Sequence, residues 1–273
     1  MIAGGPERIV CLTEETTETL YLLGEERRVA GISGYTVRPA RARREKPRVS
    51  AFVSANVEKI LALRPDLVIG FSDIQADIAR DLIKRGLNVL VFNQRSVAEI
   101  LAMIRTLAAI VGAAERGAKL IAELEAGLEA IRARASRFAL RPRVYFEEWD
   151  EPMISGIGWV SQLIGIAGGE DIFADLSLAP DARGRIVADP AEVVRRQPDI
   201  IIASWCGKKF RPERLRGRPG WSEIPAVRDD RVFEIKSAEI LQPGPAALTD
   251  GVARLHEIVA AWVESAPRSA AVA

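Results

Sequence analysis

The feature that most constrains the fold is a sequence pattern of 14 residues that occurs twice in the chain. Residues 57–70 read VEKILALRPDLVIG, and residues 191–204 read AEVVRRQPDIIIAS. In each copy an acidic residue opens an amphipathic helical stretch, Pro-Asp follows, and a short apolar run of strand type ends the unit. Because the copies lie far apart in sequence, we predict the same helix and strand in each of two α/β lobes.

The rest of the chain continues this alternation. RIVCL, RVAGI, DLVIGF and NVLVF lie between helical patterns in the first half, and RPRVYFEE, PDIIIASW and DRVFEI lie in the second. Short apolar strands that alternate with helices are typical of parallel sheets covered by helices. A chain of 273 residues is long enough for two such lobes. We expect a closing helix from about Ala246 to Glu264.

A single long helix is predicted between the lobes. Ile121, Leu124, Leu128 and Ile131 recur at spacings of three and four residues, which places them on one helical face. At 1.5 Å per residue the helix would be about 36 Å long. It would act as a rigid rod rather than a flexible linker.

The predicted fold class is therefore α/β, with two Rossmann-like lobes of parallel-type sheets, one long joining helix and a ligand cleft between the lobes. The predicted domains are an N-terminal lobe over 1–112, a bridging helix over 113–138 and a C-terminal lobe over 139–273.

Aromatic residues concentrate directly after the predicted strands, where ligands of open α/β sheets bind. Each is a candidate for stacking on a ligand, and ordinary loop packing is the alternative. The candidates are Tyr35, Phe52, Trp149, Trp159 and Trp205. Trp221 and Trp262 are interpreted as structural.

Two basic loops fall in the same predicted layer. Residues 38–48 carry six cations and one glutamate, and residues 208–218 carry six cations and one glutamate. Arg38 and Lys208 would be the ligand contacts if the loops clasp an anion through charge-assisted hydrogen bonds. Solvated cationic loops are the alternative.

Composition excludes some classes of partner and leaves the compartment open. The net charge of +1 gives no general attraction to nucleic acid or anionic lipid. No segment approaches the length of apolar sequence that spans a bilayer. The first strand-type run begins at Arg8, which leaves no room for a signal peptide. We expect a periplasmic protein if a leader has been removed, and a cytoplasmic one otherwise.

The inventory of catalytic groups is small. His256 is the only histidine and falls in the predicted final helix, and the sequence contains no GxGxxG after a strand, no GxxxxGK[ST], no HExxH and no GxSxG. We therefore expect no enzymatic activity, no bound cofactor and no metal site. The alternative is a cytoplasmic cofactor- or metal-handling enzyme, or a ligand sensor, in which Cys11 and Cys206 could bind a soft metal.

Seven segments in register resemble the cobalamin and iron-siderophore substrate-binding proteins of ABC importers. They are TETLYLLG, RVAGISGY, PRVSAFVSANVEKILALRPDLVI, AGGEDIFAD, PDIIIAS, PAVRDDRVFEI and QPGPAALTDGVARL. The resemblance implies capture of cobalamin or a ferric siderophore, with heme third, and delivery to a permease by a monomeric binding protein. It also implies two lobes joined by one helix.

The resemblance adds residue roles to this reading. Tyr35 and Phe52 stand where the family carries aromatic residues that contact the ligand, and Trp149 and Trp205 lie in the corresponding loops of the second lobe. Trp159 is inferred from its place at a helix start.

Family members also dock on the permease dimer through one glutamate of each lobe, here Glu58 and Glu192. Glu58 lies seven residues before Pro65, whereas Glu192 lies six before Pro198. One residue is about 100° of helix rotation, so we expect Glu192 on a different helical face.

Overall fold

The structure, a computed structural model, describes residues 5–265. Over this range the chain divides into two units, and each is built around one β-sheet. The N-terminal unit holds the residues up to Gln94 together with 98–124 and 242–245. The C-terminal unit holds 95–97, 125–241 and the residues from Ala246 onward.

The sheet of the N-terminal unit is parallel throughout its described part, which confirms the predicted strand type. Its strands are β1 (Ile9–Cys11), β2 (Val29–Ser33), β3 (Arg48–Ser50), β4 (Leu67–Phe71) and β5 (Val89–Phe92), in the order β3-β2-β1-β4-β5. The strand order reverses between β1 and β4. This is the position at which open α/β sheets bind ligands.

Helices connect these strands. They are α1 (Glu14–Leu22), α2 (Ala42–Glu45), α3 (Val57–Ala62), α4 (Ala76–Lys84) and α5 (Val97–Ile110). Val10, Ile60, Val68 and Leu82 are fully buried together in the core under the sheet. Residues of β1 are buried on both faces, as expected for a central strand of a covered parallel sheet.

The sheet of the C-terminal unit is mixed. Its strands are β6 (Arg143–Asp150), β7 (Met153–Ser155), β8 (Glu170–Asp171), β9 (Ile200–Ala203) and β10 (Val232–Glu234), in the order β10-β9-β6-β7, with β8 also paired to β6. Only the β6 and β7 pair is antiparallel among the described strands. The parallel neighbours β6, β9 and β10 repeat the arrangement of β1, β4 and β5.

The predicted long helix is present as α6 (Ala114–Ala135). Ile121, Leu124, Leu128 and Ile131 are all buried, as their spacing predicted. The division between the two units falls within this helix, after Leu124.

The remaining helices belong to the C-terminal unit. They are α7 (Gly158–Ala167), α8 (Ala191–Arg196), α9 (Pro212–Arg216), α10 (Pro225–Arg228), α11 (Ser237–Ile240) and α12 (Val252–Ser265). The closing helix differs from the prediction at its start, because a π-helical turn over Ala247–Gly251 precedes α12. At Gly251 an added β-carbon would lie 2.4 Å from the Glu239 carbonyl oxygen, so this close approach requires glycine. None of the helices described is long and apolar enough to cross a membrane.

Candidate ligand-binding surfaces and docking helices

The loops at the carboxyl edge of the N-terminal sheet carry exposed apolar side chains. Tyr35 and Val37 follow β2 and are 53% and 38% exposed, Val53 follows β3 and is 65% exposed, and Ile74 follows β4 and is 49% exposed. Phe52 is half-buried beside Val53. Apolar residues that gather at strand exits while remaining exposed are suited to an apolar ligand face. Of this set, the sequence predictions included Tyr35 and Phe52.

A buried glutamine fixes the Phe52 loop to its neighbours. The Gln75 Nε2 atom donates hydrogen bonds to the Phe52 carbonyl oxygen at 2.9 Å and to the Leu12 carbonyl oxygen at 3.4 Å. Its Oε1 atom accepts from the Phe71 backbone N–H at 3.0 Å. Gln75 therefore ties together the loops after β1, β3 and β4. No pattern in the sequence pointed to this role of Gln75.

Two adjacent carboxyl groups lie beneath these loops, directly after β1. Glu14 is 3% exposed and Glu15 is 1% exposed. Burial raises the pKa of Glu14 to about 8 and that of Glu15 to about 7, and the nearby Glu18 carboxylate acts in the same direction. Glu15 Oε1 accepts a hydrogen bond from the Thr13 hydroxyl at 2.6 Å. This pair was not among the predicted site residues. The available signal was two consecutive glutamates at a strand exit, flanked by threonines.

The carboxyl end of β6 in the C-terminal unit carries acids that have basic partners. Buried Glu147 accepts hydrogen bonds from the Tyr145 hydroxyl at 3.0 Å, from Trp205 Nε1 at 2.9 Å and from Arg218 Nη2 at 3.0 Å. Glu148 pairs with buried Arg185 at 2.6 Å. Each buried charge is thereby compensated, as burial in a medium of low dielectric requires.

Asp150 completes this row of ion pairs. It lies 2.6 Å from Lys208 Nζ and 3.1 Å from Arg214 Nη1. Burial opposes ionisation of Asp150, but the hydrogen bond and charge of Lys208, with Arg214 beside it, hold the pKa of Asp150 below its ordinary value. Lys208 also lies over the Trp149 ring, 4.0 Å from the centroid. Its charge is therefore compensated within the chain.

The sequence left open whether the two basic loops bind an anion or are solvated, and in the structure several of their cations form ion pairs within the chain. Lys208, Arg214 and Arg218 are paired with Asp150 and Glu147, as described above. Arg38 pairs with Glu18 at 2.9 Å, and Arg41 pairs with Glu26 at 3.1 Å. The physical reason is that buried acids elsewhere in the chain require counter-charges, which these loops supply.

The aromatic candidates differ in accessibility. Tyr35 is exposed and Trp149 is half-buried, whereas Trp159 and Trp205 are 2% and 3% exposed. Trp159 Nε1 donates to the Ile240 carbonyl oxygen at 2.9 Å. Trp205 donates to Glu147 and packs edge-on against Phe210, with 5.1 Å between ring centroids. Both buried indoles therefore have packing roles in the C-terminal unit. Trp221 is fully buried, as predicted.

The thiols of Cys11 and Cys206 and the ring of His256 lie in different surroundings. Burial raises the pKa of Cys11 to about 11, and burial also raises the pKa of Cys206, so both are protonated at neutral pH. The ring of His256 stacks on Phe138, with 5.5 Å between centroids, and its Nδ1 atom lies 3.1 Å from the Ala167 carbonyl oxygen. Within residues 5–265 no three His, Cys, Asp or Glu side chains are grouped to hold a metal ion.

The two helices of the repeated unit have the same register against their sheets. Ile60 and Val193 are fully buried, and each lies five residues before its proline. Arg64 and Gln197, which directly precede the prolines, both adopt left-handed backbone conformations, with φ of 47° and 43°. Counted from these markers, Ala191 rather than Glu192 occupies the position of Glu58.

The two glutamates also differ in their surroundings. The Glu58 side chain is 75% exposed and lies 3.2 Å from Arg85. The Glu192 side chain is 32% exposed and pairs with Arg195 and Arg196, each at 2.7 Å. Hydrogen bonds from Arg196 and Arg195 lower the pKa of Glu192. The predicted difference in helical face between the copies is confirmed.

Comparison with known proteins defines the class of this protein. A profile of the periplasmic binding protein family matches residues 9–239, so the chain belongs to that family. The family that the sequence motifs resembled is thereby confirmed, and so is the α/β fold class.

Three relatives illustrate the family. An uncharacterized ABC transporter substrate-binding lipoprotein of Bacillus subtilis, YvrC, is 26% identical over 263 residues, which cover 93% of this chain and 80% of the relative. The structure of the periplasmic vitamin B12 binding protein BtuF of Vibrio cholerae aligns with a TM-score of 0.75 at 25% identity and covers 96% of this chain and 99% of BtuF. The periplasmic heme-binding protein RhuT of Roseiflexus sp. RS-1 aligns with a TM-score of 0.78 at 26% identity and covers 93% of this chain and all of RhuT (100%).

Proposed function

We propose that this chain is the substrate-binding component of an ABC importer and that it binds a corrinoid such as cobalamin, with a ferric siderophore as the nearest alternative ligand. The observation that carries the proposal is the exposed apolar set at the carboxyl edge of the N-terminal sheet, with Tyr35 and Val53 as its most exposed members. A broad ligand with an apolar face would bury these side chains, which gives a favourable free energy of binding.

The charge distribution favours a neutral ligand within this proposal. Unpaired basic loops would have favoured an anionic ferric complex, but Lys208 and Arg38 are engaged by Asp150 and Glu18. A corrinoid holds its metal through its own donors, so the protein needs no metal ligands. The polar periphery of a corrinoid also suits loops whose charges are already compensated.

Heme is a second candidate because of one residue. Tyr35 presents an exposed phenol in the first strand-exit loop after β2, and tyrosine is one of the side chains that bind heme iron axially. In this case Tyr35→Phe would abolish the absorption band of tyrosine-ligated ferric heme. With a corrinoid the same substitution would retain most of the affinity, since the ring remains.

The proposed partner is the permease of the importer, contacted by an acidic residue of each unit. Glu58 is the stronger candidate because its carboxylate is exposed at the start of α3. Glu192 is the weaker one because it is displaced by one helical position and bound by two arginines. The chain would work as a monomer outside the cytoplasm and would catalyse no reaction of its own, and the relative named as an ABC transporter substrate-binding lipoprotein supports the link to an importer.

A fluorescence titration tests this function directly. Purified protein is titrated with cyanocobalamin, ferric enterobactin and heme, and quenching of intrinsic tryptophan fluorescence reports binding. We expect micromolar or tighter binding of cyanocobalamin. Tyr35→Ala and Phe52→Ala should each weaken it by about 1–3 kcal/mol.

The control is Ile83→Ala, which removes an apolar side chain that is 58% exposed on α4 of the same unit. Its affinity should equal that of the unsubstituted protein. Absence of quenching by all three ligands would reject the proposed function.

A further inference from the structure

Several buried oxygen atoms at the carboxyl edge of the N-terminal sheet have no hydrogen-bond partner among the described residues. They are Glu14 Oε1, Glu15 Oε2, Thr36 Oγ1 and Gln94 Oε1. None of these four residues is more than 3% exposed. Because a buried acceptor without a donor is unfavourable, native proteins rarely keep several of them in one region without a use.

The chain brings these oxygens to one region from three different loops. The backbone of Val37 and Arg38, in the loop that also carries Thr36, lies close enough to the Glu14 carboxyl group to oppose the rise of its pKa. Gln94 Nε2 donates to the Pro243 carbonyl oxygen at 2.9 Å. The next residue, Gly244, packs on Glu15 so closely that an added β-carbon would lie 2.5 Å from Glu15 Cβ. The segments that carry these oxygens therefore gather near the exit of β1, where the strand order reverses.

The charges around these four oxygens favour a ligand group that donates hydrogen bonds over one that only accepts them. Glu18 lies one helical turn from Glu14 and Glu15 and is paired with Arg38 at 2.9 Å. That pair is neutral overall, so the two remaining carboxyl groups define the local charge. Their raised pKa values show that the protein does not itself stabilise them as anions. A ligand group that donates hydrogen bonds or carries positive charge would stabilise them, whereas an anionic group would be repelled.

We propose that Glu14, Glu15, Thr36 and Gln94 form a subsite that accepts hydrogen bonds from N–H groups of the ligand, carboxamides or an ammonium group. This inference rests on the proposed function and deepens it, because it selects an amide-bearing corrinoid over an anionic siderophore or heme. Tyr35 and Val37 are exposed on the loop that carries Thr36. A ligand seated on this apolar surface would bring its amide edge to the four oxygens.

The chemistry makes the subsite selective. A primary carboxamide offers two N–H donors, and each hydrogen bond to a charged acceptor is about twice as strong as one to a neutral acceptor. A carboxylate at the same place on the ligand offers no donor and adds a negative charge beside Glu14 and Glu15. The replacement of one ligand amide by an acid should therefore weaken binding strongly.

Calorimetric titration at pH 8 tests the subsite with a matched pair of probes. The probes are cyanocobalamin and its monocarboxylic acids, in each of which one peripheral amide has been hydrolysed. The unsubstituted protein should bind at least one of these acids tenfold or more weakly than cyanocobalamin. Glu15→Gln and Glu14→Gln should each weaken cyanocobalamin binding by on the order of tenfold and should reduce the difference between amide and acid.

The control is Glu123→Gln, which makes the same change of charge at a position of the same unit where the side chain is 63% exposed. It should leave both affinities unchanged. Thermal unfolding of Glu14→Gln and Glu15→Gln at pH 8 establishes that they are folded, which is expected because each substitution removes a buried ionisable group.

The outcomes separate the subsite from the proposed function. Unchanged or increased cyanocobalamin affinity in both variants would overturn the subsite and leave the proposed function intact. Equal affinity of the unsubstituted protein for cyanocobalamin and all its monoacids would do the same. No binding of cyanocobalamin, ferric enterobactin or heme by the unsubstituted protein would overturn both.

Discussion

The buried acidic residues at the end of the first strand have different hydrogen-bond partners in the two sheets. At the end of β1, Glu14 and Glu15 are buried, and each keeps one oxygen atom without a hydrogen-bond partner among residues 5–265. At the end of β6, Glu147 has three donors, one of them Arg218. The difference is one of charge compensation, because the buried acids of the C-terminal edge form ion pairs within the chain. At the N-terminal edge, we propose, a ligand supplies the donors that Glu14 and Glu15 lack among the described residues.

Among single substitutions, the largest loss of stability is expected when one partner of the buried ion pair at the carboxyl edge of the C-terminal sheet is removed. Arg218→Ala leaves Glu147 buried without its counter-charge, and loss of one partner of a buried ion pair costs about 3–5 kcal/mol. Urea unfolding followed by circular dichroism measures the loss. Arg216→Ala is the control, because Arg216 pairs with Asp230, whose side chain is 80% exposed, and should change stability by less than about 1 kcal/mol. Similar losses in the two variants would contradict the comparison.

The buried acids at the N-terminal edge should instead make the free energy of unfolding depend on pH. The raised pKa values of Glu14 and Glu15, about 8 and about 7, mean that the folded state binds more protons than the unfolded state between the ordinary glutamate pKa and these values. The free energy of unfolding should therefore fall as pH rises from about 5 to about 8, by roughly 6 kcal/mol for the pair.

Unfolding measured across this pH range in the Glu14→Gln, Glu15→Gln double variant should give a flatter profile. The variant should also exceed the unsubstituted protein in stability at pH 8. A profile that keeps its full slope in the variant would assign the pH dependence to other groups.

The smallest effect on stability, but a distinct effect on transport, is expected from the repeated helices. Glu58→Arg changes an exposed side chain and should alter unfolding by less than about 1 kcal/mol. If Glu58 docks on the permease, uptake of the ligand by cells that carry the matching permease should be largely lost while ligand affinity is unchanged. Glu192→Arg should reduce uptake less, because Glu192 is held by Arg195 and Arg196. The reverse order would show that Glu192 is the main contact.

Much of the fold was predictable because it depends on local patterns. The strands were visible as apolar runs, and the buried face of α6 followed from the spacing of Ile121 and Leu124. The offset between Glu58 and Glu192 also followed from residue counting, since both helices end at the same left-handed turn before proline.

The site was less predictable because its contacts join distant segments. Lys208 reaches Asp150 across 58 residues, and Arg218 reaches Glu147 across 71. A charge count within one loop cannot reveal such partners. Glu14 and Glu15 resembled ordinary acids in the first turn of a helix. Their burial depends on the segment 242–245 and the loop after β2, which no local pattern links to them.

The Pro-Asp turns of the repeated unit have a consequence for engineering. Asp66 accepts the backbone N–H of Arg8 at 3.0 Å, and Asp199 accepts the backbone N–H of Arg143 at 2.8 Å. Each aspartate thus binds the central strand of its sheet at the amino end, and the strand-exit loops lie at the other end. Changes in the strand-exit loops therefore leave these two contacts untouched, and we expect the N-terminal loops that carry Tyr35 and Val53 to tolerate exchange better than the loop that supplies Lys208 and Arg218 to buried acids.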